Sequence, residues 1–129
     1  MTIKKLLIAN RGEIASRIIS SAHDMGISCV AIYTEADKDT PYVREADQAF
    51  KLSDSYLNSK EILDIALKSN SDAIHPGYGF LSENAAFANQ VKKLNIKWVG
   101  PSSNVIKKMG DKLTAKEIAI KADVPTLPM

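Results

Sequence analysis

The sequence predicts an α/β fold built on a doubly wound parallel sheet of about five strands. Short apolar runs of strand character alternate along the chain with segments whose apolar residues recur at helical spacing, which is the pattern of parallel βαβ units. The chain has 129 residues, of which 45% are hydrophobic and 25% charged, and this composition suits one compact domain with its own core. Strands are predicted at residues 3–9, 27–33, 49–52, 72–75 and 96–99.

Three helices are expected between these strands. The first, over 13–25, ends at Gly26, the second begins at a cap on Ser59, and the third, over 83–94, begins after Ser82 as its N-cap. Their apolar faces are predicted as Ile14, Ile18, Ala22 and Met25; as Ile62, Leu63, Ala66 and Leu67; and as Phe87, Ala88, Val91 and Leu94.

The pattern changes at residue 102. A short helical stretch ends at Gly110, Asp111 is placed as the N-cap of a helix over 112–122, and a proline-containing extended tail follows. We therefore expect one domain over 1–101 and the start of a linker into another domain over 102–129. A tail that ends there naturally is the alternative.

Charge and cysteine content exclude several function classes. The net charge is +2, and 17 Lys and Arg are interleaved with 15 Asp and Glu, so neither nucleic acid nor a membrane surface is expected as a partner. Cys29 lies in an apolar run and is predicted to be a buried structural thiol. Because the sequence has only this cysteine and two histidines, it predicts no metal site. The apolar start is too short for a signal peptide or a membrane span, so a cytoplasmic protein is expected.

The unusual chemistry lies in two turns, at residues 10–13 and 75–79. If the strand order is 3-2-1-4-5, these turns follow strands one and four, where the order reverses and ligands bind beyond the carboxyl ends of the strands. Glycines such as Gly77 and Gly79 let backbone amides approach a ligand; a tight turn that needs positive φ is the alternative. The first turn has one glycine where a dinucleotide fingerprint needs three, which disfavours an NAD site.

Single side chains near these turns leave alternatives open. Asn10 and Arg11 belong to the first turn, where Arg11 either holds an anion or pairs with an acid. His75 is interpreted as orienting its turn through a backbone hydrogen bond, because no nucleophile and acid are spaced for a triad. Glu83 places negative charge in the first turn of the third helix. Lys112 opposes its helix dipole, which a bound phosphate explains better than helix stability does; an ordinary solvated lysine after the capping Asp111 is the alternative.

These motifs together resemble biotin carboxylase, the ATP-dependent component of acetyl-CoA, propionyl-CoA and pyruvate carboxylases. The resemblance rests on IANRGEIA at 8–15 with Arg17-Ile18, SYLN at 55–58, HPGYGFLSEN at 75–84, VGP at 99–101 and MGDK at 109–112. It spans essentially the whole chain in the family's order. In one departure, the family usually has a longer loop with a Gly-Pro pair before SYLN, and here KLSD at 51–54 replaces it.

The resemblance implies a Rossmann-like lobe that precedes an ATP-grasp domain. The full enzyme would use ATP and Mg²⁺ to activate bicarbonate and would carboxylate biotin on a carrier protein or domain that serves a carboxyltransferase. Carried over by position, Lys112 would contact ATP, and Tyr78 with Gly79 would lie against biotin. The family's metal-binding and bicarbonate-binding residues lie beyond Met129, so this chain holds no catalytic residue and is expected to be inactive alone.

The family commonly dimerises through this lobe, and Arg17, Ser20 and Asp24 share one face of the first helix. The resemblance therefore implies a homodimer of the full-length enzyme. It leaves open which acyl-CoA or keto acid is served, because the carboxyl acceptor binds another component. Two other functions stay open: the equivalent lobe of another ATP-grasp ligase, such as a carbamoyl-phosphate or purine-synthesis enzyme, and a non-enzymatic flavodoxin-like interaction module.

Overall fold

The computed structural model describes residues 3–100, which form a five-stranded parallel sheet. The strands are β1 (Lys5–Ile8), β2 (Ser28–Tyr33), β3 (Gln48–Lys51), β4 (Ala73–His75) and β5 (Lys97–Trp98). Their order is β3-β2-β1-β4-β5, and each neighbouring pair is parallel. The predicted fold class and strand order are confirmed, and the order reverses between β1 and β4.

Helices connect the strands and cover both faces of the sheet. They are α1 (Gly12–Asp24), α2 (Pro41–Glu45), α3 (Ser59–Lys68) and α4 (Ala85–Lys93), with short 3₁₀ turns at Glu35–Asp37 and Phe80–Glu83. The sequence did not predict α2, which begins with a proline at its first position inside a polar connection. No helix within residues 3–100 is long and apolar enough to cross a membrane.

The sheet carries apolar side chains on both faces because both are covered. Leu6 and Ile8 of β1 belong to the core cluster that includes α1, whereas Leu7 between them belongs to the opposite cluster with α3 and α4. Cys29 of β2 is fully buried in the α1 cluster, as predicted, and this burial together with the Asp47 charge raises the pKa of its thiol to about 11.

The buried faces of α1 and α3 match the prediction only in part, whereas the buried face of α4 matches it. In α1 the fully buried residues are Ala15, Ile19 and Ala22, while Met25 is 75% exposed. The small alanines sit against β1 and β2, where a larger side chain would hold the helix away from the sheet. In α3 the buried set is Ile62, Ile65 and Ala66, with Leu67 exposed; α4 buries Phe87, Ala88 and Val91 as predicted, and Leu94 is exposed at its end.

Two predicted N-caps are also wrong. Asn58 caps α3 through a hydrogen bond from the Glu61 N–H to its side-chain oxygen (3.1 Å), and Asn84 caps α4 by accepting from the Phe87 N–H (2.9 Å). Ser59 is instead the first residue of α3. Ser82 and Glu83 lie in the 3₁₀ turn that precedes α4, so Glu83 is not in the first turn of that helix. The predictions for 102–129, including Lys112, lie outside the described residues.

Candidate functional site

The two unusual turns meet at the carboxyl-terminal edge of the sheet. β1 and β4 are hydrogen-bonded neighbours, and the pairing continues one residue beyond β1, where the Ala9 N–H donates to the His75 carbonyl (2.9 Å). Residues 10–13 and 76–79 therefore leave adjacent strands side by side at the point where the strand order reverses. This is the position at which ligands bind in open α/β sheets.

Asn10 joins the two turns. Its side-chain Nδ2 donates to the carbonyls of Pro76 (2.8 Å) and Tyr78 (2.7 Å), and its Oδ1 accepts from the Arg11 N–H (2.8 Å). The side chain is 1% exposed. Because an amide group satisfies three backbone groups here at once, Asn10 fixes the backbone of residues 76–78 relative to the end of β1.

Gly77 and Gly79 in the second turn differ in what surrounds the position of a Cβ atom. Gly77 has a φ of +65°, and a Cβ there would lie 2.6 Å from Asn10 Nδ2, so both the backbone conformation and the close approach of Asn10 exclude a side chain. Gly79 has a φ of +66°, but a Cβ would meet nothing within 4 Å. The backbone at Gly79 is therefore open to an incoming group.

Tyr78 stands between these glycines and is 79% exposed, although the turn that carries it is anchored on both sides. On one side the Gly77 N–H donates to His75 Nδ1 (3.1 Å), which is the backbone hydrogen bond predicted for His75. Burial lowers the pKa of His75, which favours the neutral ring that this acceptor role requires. On the other side Leu81 is buried, and the Phe80 ring packs against Tyr56 with 5.5 Å between centroids.

Arg11 pairs with an acid. Its Nε and Nη2 donate to Asp37 Oδ2 and Oδ1, each at 2.6 Å, and the Asp37 side chain is 4% exposed. The Arg11 hydrogen bonds hold the pKa of Asp37 below its ordinary value, against the opposing effect of burial, and the Tyr56 hydroxyl assists. Of the two alternatives left by the sequence, the structure therefore shows the ion pair.

Two tyrosines extend this pair into the core. Tyr56 Oη donates to Asp37 Oδ2 (2.5 Å) and accepts from the Thr34 N–H (3.2 Å), and the Tyr42 hydroxyl lies 2.7 Å from it while donating to the Ile32 carbonyl (2.9 Å). Burial raises the pKa of Tyr42 well above its ordinary value. The network connects the first turn to the ends of β2 and α2.

Sequence reasoning missed Asp37 and Tyr42 and gave Tyr56 no role. Asp37 and Tyr42 lie in or beside a polar connection with no periodic pattern, so no local signal marks them. Tyr56 belongs to the SYLN segment at 55–58, whose Asn58 proves to be the cap of α3. The shortened loop before it is closed by Glu61, which accepts from the Ser53 N–H (2.7 Å) and hydroxyl (2.5 Å).

An apolar groove of about 320 Å³ lies beside α1. Its polar lining residues are Arg17, Ser21 and His75, and the rest of the lining is aliphatic, including Ile18, Met25 and Val99. A ligand site combines an apolar wall with convergent polar groups. The groove has few polar groups, and one of them, His75, already uses its Nδ1 to accept the Gly77 N–H. The exposed aromatic ring and open backbone of residues 78–79 are therefore the better candidate for ligand contact.

The arrangement suits a flat polar ligand that lies against Tyr78 and receives hydrogen bonds from the backbone beside Gly79. Asn10, Arg11, His75 and Gly77 come together as the supports of this turn. Glu83 is exposed at the end of the 3₁₀ turn, so its negative charge does not lie in the first turn of the helix, where the sequence predicted it. None of these groups is arranged as a nucleophile with a base.

Comparison with known proteins shows which family the chain is similar to. The family model described as "Biotin carboxylase, N-terminal domain" matches residues 2–106. The chain is 53% identical over 131 residues to biotin carboxylase 1 of Bacillus subtilis, covering 98% of this chain and 29% of that protein. It is 50% identical over 131 residues to the biotin-dependent acyl-coenzyme A carboxylase alpha3 subunit of Mycobacterium leprae, covering 98% of this chain and 22% of that protein.

Among solved structures, the chain is similar to the biotin carboxylase domain dimer of the 2-oxoglutarate carboxylase of Hydrogenobacter thermophilus. That structure is a complex with ADP, its magnesium salt and bicarbonate. The TM-score is 0.85 at 45% identity, covering 99% of this chain and 29% of that one. The chain thus spans less than a third of the length of each of these three relatives.

Proposed function

The chain belongs to the family of biotin carboxylase N-terminal domains, and we propose that it forms the amino-terminal lobe of an ATP-dependent ligase that carboxylates biotin. In the structure, the supporting observation is the turn that Asn10 clamps at the reversal of strand order, with Tyr78 held in solvent at its tip. ATP with Mg²⁺ would supply the activation of bicarbonate in the full-length protein. The ligands for the metal would lie outside this chain.

Tyr78 and Gly79 are proposed to bind the biotin ring system. The exposed face of Tyr78 offers an apolar surface for the bicyclic ring, and the open backbone at Gly79 leaves room for a hydrogen bond to the ureido group. The turn needs no rearrangement to present these groups, because Asn10 and His75 already fix its backbone. The residues present therefore fit a flat ring carrying polar edges.

Lys112 is proposed to bind the phosphates of ATP. The sequence predicts Lys112 in the first turn of a helix, and in that position its positive charge would lie beside the N–H groups of the helix N-terminus, an arrangement suited to an anion. The division into a lobe over 1–101 and the start of a linker to an ATP-grasp domain over 102–129 is part of the same proposal.

The proposed partners are a biotin carboxyl carrier protein or domain and a carboxyltransferase, with a second copy of the full-length protein as a further partner. The relatives support the first two, since they include a biotin-dependent acyl-coenzyme A carboxylase subunit and a 2-oxoglutarate carboxylase. The Hydrogenobacter domain is a dimer in its structure, which supports the third.

Steady-state kinetics of the full-length protein that contains this chain test the function. Bicarbonate-dependent ATP hydrolysis should rise when free biotin is added. Lys112→Ala should raise the KM for ATP on the order of tenfold or more, because a charge-assisted hydrogen bond contributes roughly 1.5 to 3 kcal/mol. Tyr78→Ala should raise the KM for biotin and leave that for ATP nearly unchanged.

Leu67→Ala is the matched control for Tyr78→Ala, since it also truncates an exposed large apolar side chain but lies on α3. It should change neither KM. ATP hydrolysis that does not rise when free biotin is added would favour another class of ATP-grasp ligase. If Lys112→Ala and Tyr78→Ala raise the KM for ATP to the same extent, the assignment of Lys112 to ATP and of Tyr78 to biotin is wrong.

A further inference from the structure

Three metal-ligating side chains meet at the amino-terminal edge of the sheet, at the opposite end of the strands from the clamped turn. His23 lies in the last turn of α1, Cys29 near the start of β2, and Asp47 directly before β3. Their ligating atoms, an imidazole nitrogen, Sγ and a carboxylate oxygen, all lie within 4.8 Å of one another. The sequence predicted no metal site, because two histidines and one cysteine do not make one; Asp47 joins His23 and Cys29 only in the folded chain.

The backbone holds Cys29 and Asp47 in this arrangement. The Asp47 N–H donates to the Cys29 carbonyl (3.0 Å), and the Cys29 N–H donates to Asp47 Oδ2 (2.7 Å). His23 Nε2 lies 2.8 Å from the same Oδ2. Hydrogen bonds from the protein backbone to a ligating carboxylate are the usual support of a metal site, because they fix the direction of its oxygens.

We infer that Cys29, His23 and Asp47 form a binding site for a divalent transition metal of the zinc type, with water as the fourth ligand. A thiolate, an imidazole and a carboxylate suit Zn²⁺ or Co²⁺ and disfavour Mg²⁺, which prefers oxygen ligands. The site is independent of the proposed carboxylase function.

The geometry needs only a small adjustment to close around an ion. Ligand atoms at about 2.0 to 2.3 Å from a tetrahedral ion lie roughly 3.3 to 3.8 Å apart, so side-chain shifts of about 1 Å suffice. His23 and Asp47 are 40% and 48% exposed, so two of the three ligands are open to solvent, whereas Cys29 is buried. As the bond from Sγ to the metal forms, the thiol proton leaves to water. His23 binds as the neutral ring with its proton on Nδ1, so that Nε2 gives up the proton it shares with Asp47 to solvent, and metal bonds replace that hydrogen bond.

Titration of the purified chain with Co²⁺ tests the site, because cobalt reports its ligands by absorption. Cys29 is the only cysteine of the sequence, so a thiolate-to-cobalt charge-transfer band assigns that sulfur without ambiguity. We expect this band, with the intense d–d bands of tetrahedral cobalt, to saturate at one ion per chain. Zn²⁺ should displace the cobalt and raise the thermal midpoint of unfolding, since an ion that binds the native state stabilises it.

Variants separate this site from adventitious binding. Cys29→Ser should abolish the charge-transfer band, and His23→Gln and Asp47→Asn should each weaken binding by about tenfold or more. Asp24→Asn is the control, because it neutralises an exposed acid next to His23 and should change nothing. His23 is exposed, so His23→Gln keeps the fold. No charge-transfer band, or a band that His23→Gln leaves unchanged, overturns the inference.

Discussion

Removing the Asn10 side chain should destabilise the chain through the turn that it clamps. Asn10→Ala deletes three hydrogen bonds, those to the carbonyls of Pro76 and Tyr78 and the one from the Arg11 N–H. At about 1 kcal/mol net for each, the loss is about 3 kcal/mol. Urea unfolding of the wild-type and variant chains measures it.

Gly77→Ala should destabilise the chain for a related reason. A φ of +65° costs an alanine about 1 kcal/mol, and its Cβ, 2.6 Å from Asn10 Nδ2, would push the amide off both carbonyls, which costs roughly 2 kcal/mol more. In the double variant, Asn10→Ala with Gly77→Ala, the side-chain amide of residue 10 is absent. The cost of Gly77→Ala is then only the positive φ at residue 77 and the softer 3.1 Å contact with Cβ of residue 10. The double variant should therefore lose about 4 kcal/mol, whereas the single variants sum to about 6.

Gly26→Ala is the matched control for this cycle. Gly26 also has a positive φ, +75°, but a Cβ there meets nothing within 4 Å, so its cost is the backbone penalty alone. Combined with Asn10→Ala it should be additive to within about 0.5 kcal/mol, as for distant sites. Additive losses for Asn10→Ala with Gly77→Ala would refute the argument that Asn10 is the reason for a glycine at position 77.

Two further predictions concern charge. The Arg11 hydrogen bonds hold the pKa of Asp37 below its ordinary value of about 4, so the native carboxylate contributes stability above that pH which is lost as the pH falls through its lower folded pKa. Urea unfolding across an acid pH series should show this loss, and an equal loss in Asp37→Asn would contradict it. Arg17→Glu makes the α1 face that carries Asp24 acidic, and two such faces would repel each other in the proposed homodimer. Light scattering of the full-length protein should therefore show more monomer, whereas the control Lys60→Glu on α3 should not change the monomer fraction.

Periodicity predicted the strands and the three longer helices because each carries its apolar residues at a regular spacing or in a short run; α2 has no such pattern and was not predicted. The β1 segment alternates between the two cores, and the α4 face at Phe87, Ala88 and Val91 is where its spacing places it. The phase of α1 was wrong because Ala15 and Ile19 are buried where Ile14 and Ile18 were predicted, whereas the burial of Ala22 was predicted correctly. A ranking by hydrophobicity favours Ile14 over Ala15, whereas close approach to a sheet favours the alanine.

The sequence predicted the two turns of the candidate site with their glycines, Asn10, Arg11 and Tyr78, and the backbone hydrogen bond of His75, but it did not predict the partners of Asn10 and Arg11. Its supports join residues far apart in the chain: Arg11 meets Asp37 across 26 positions, and Asn10 meets Pro76 across 66. Such pairs leave no periodic trace, because each depends on how two loops leave neighbouring strands. The N-caps failed for a related reason, since serine and asparagine both accept the required hydrogen bond and the 3₁₀ turn decides between Ser82 and Asn84.

The supports also bear on how the turn would bind a ligand. Asn10 fixes the carbonyls on either side of Gly77, His75 holds the N–H of Gly77, and buried Leu81 anchors the far end. The Tyr78 side chain extends into solvent from this anchored turn, so a ligand would meet a backbone that is already ordered and would lose little affinity to ordering it. Loss of the clamp and loss of the ring should therefore weaken binding of the same ligand for different reasons: Asn10→Ala by loosening the turn, and Tyr78→Ala by removing a contact while the turn stays in place.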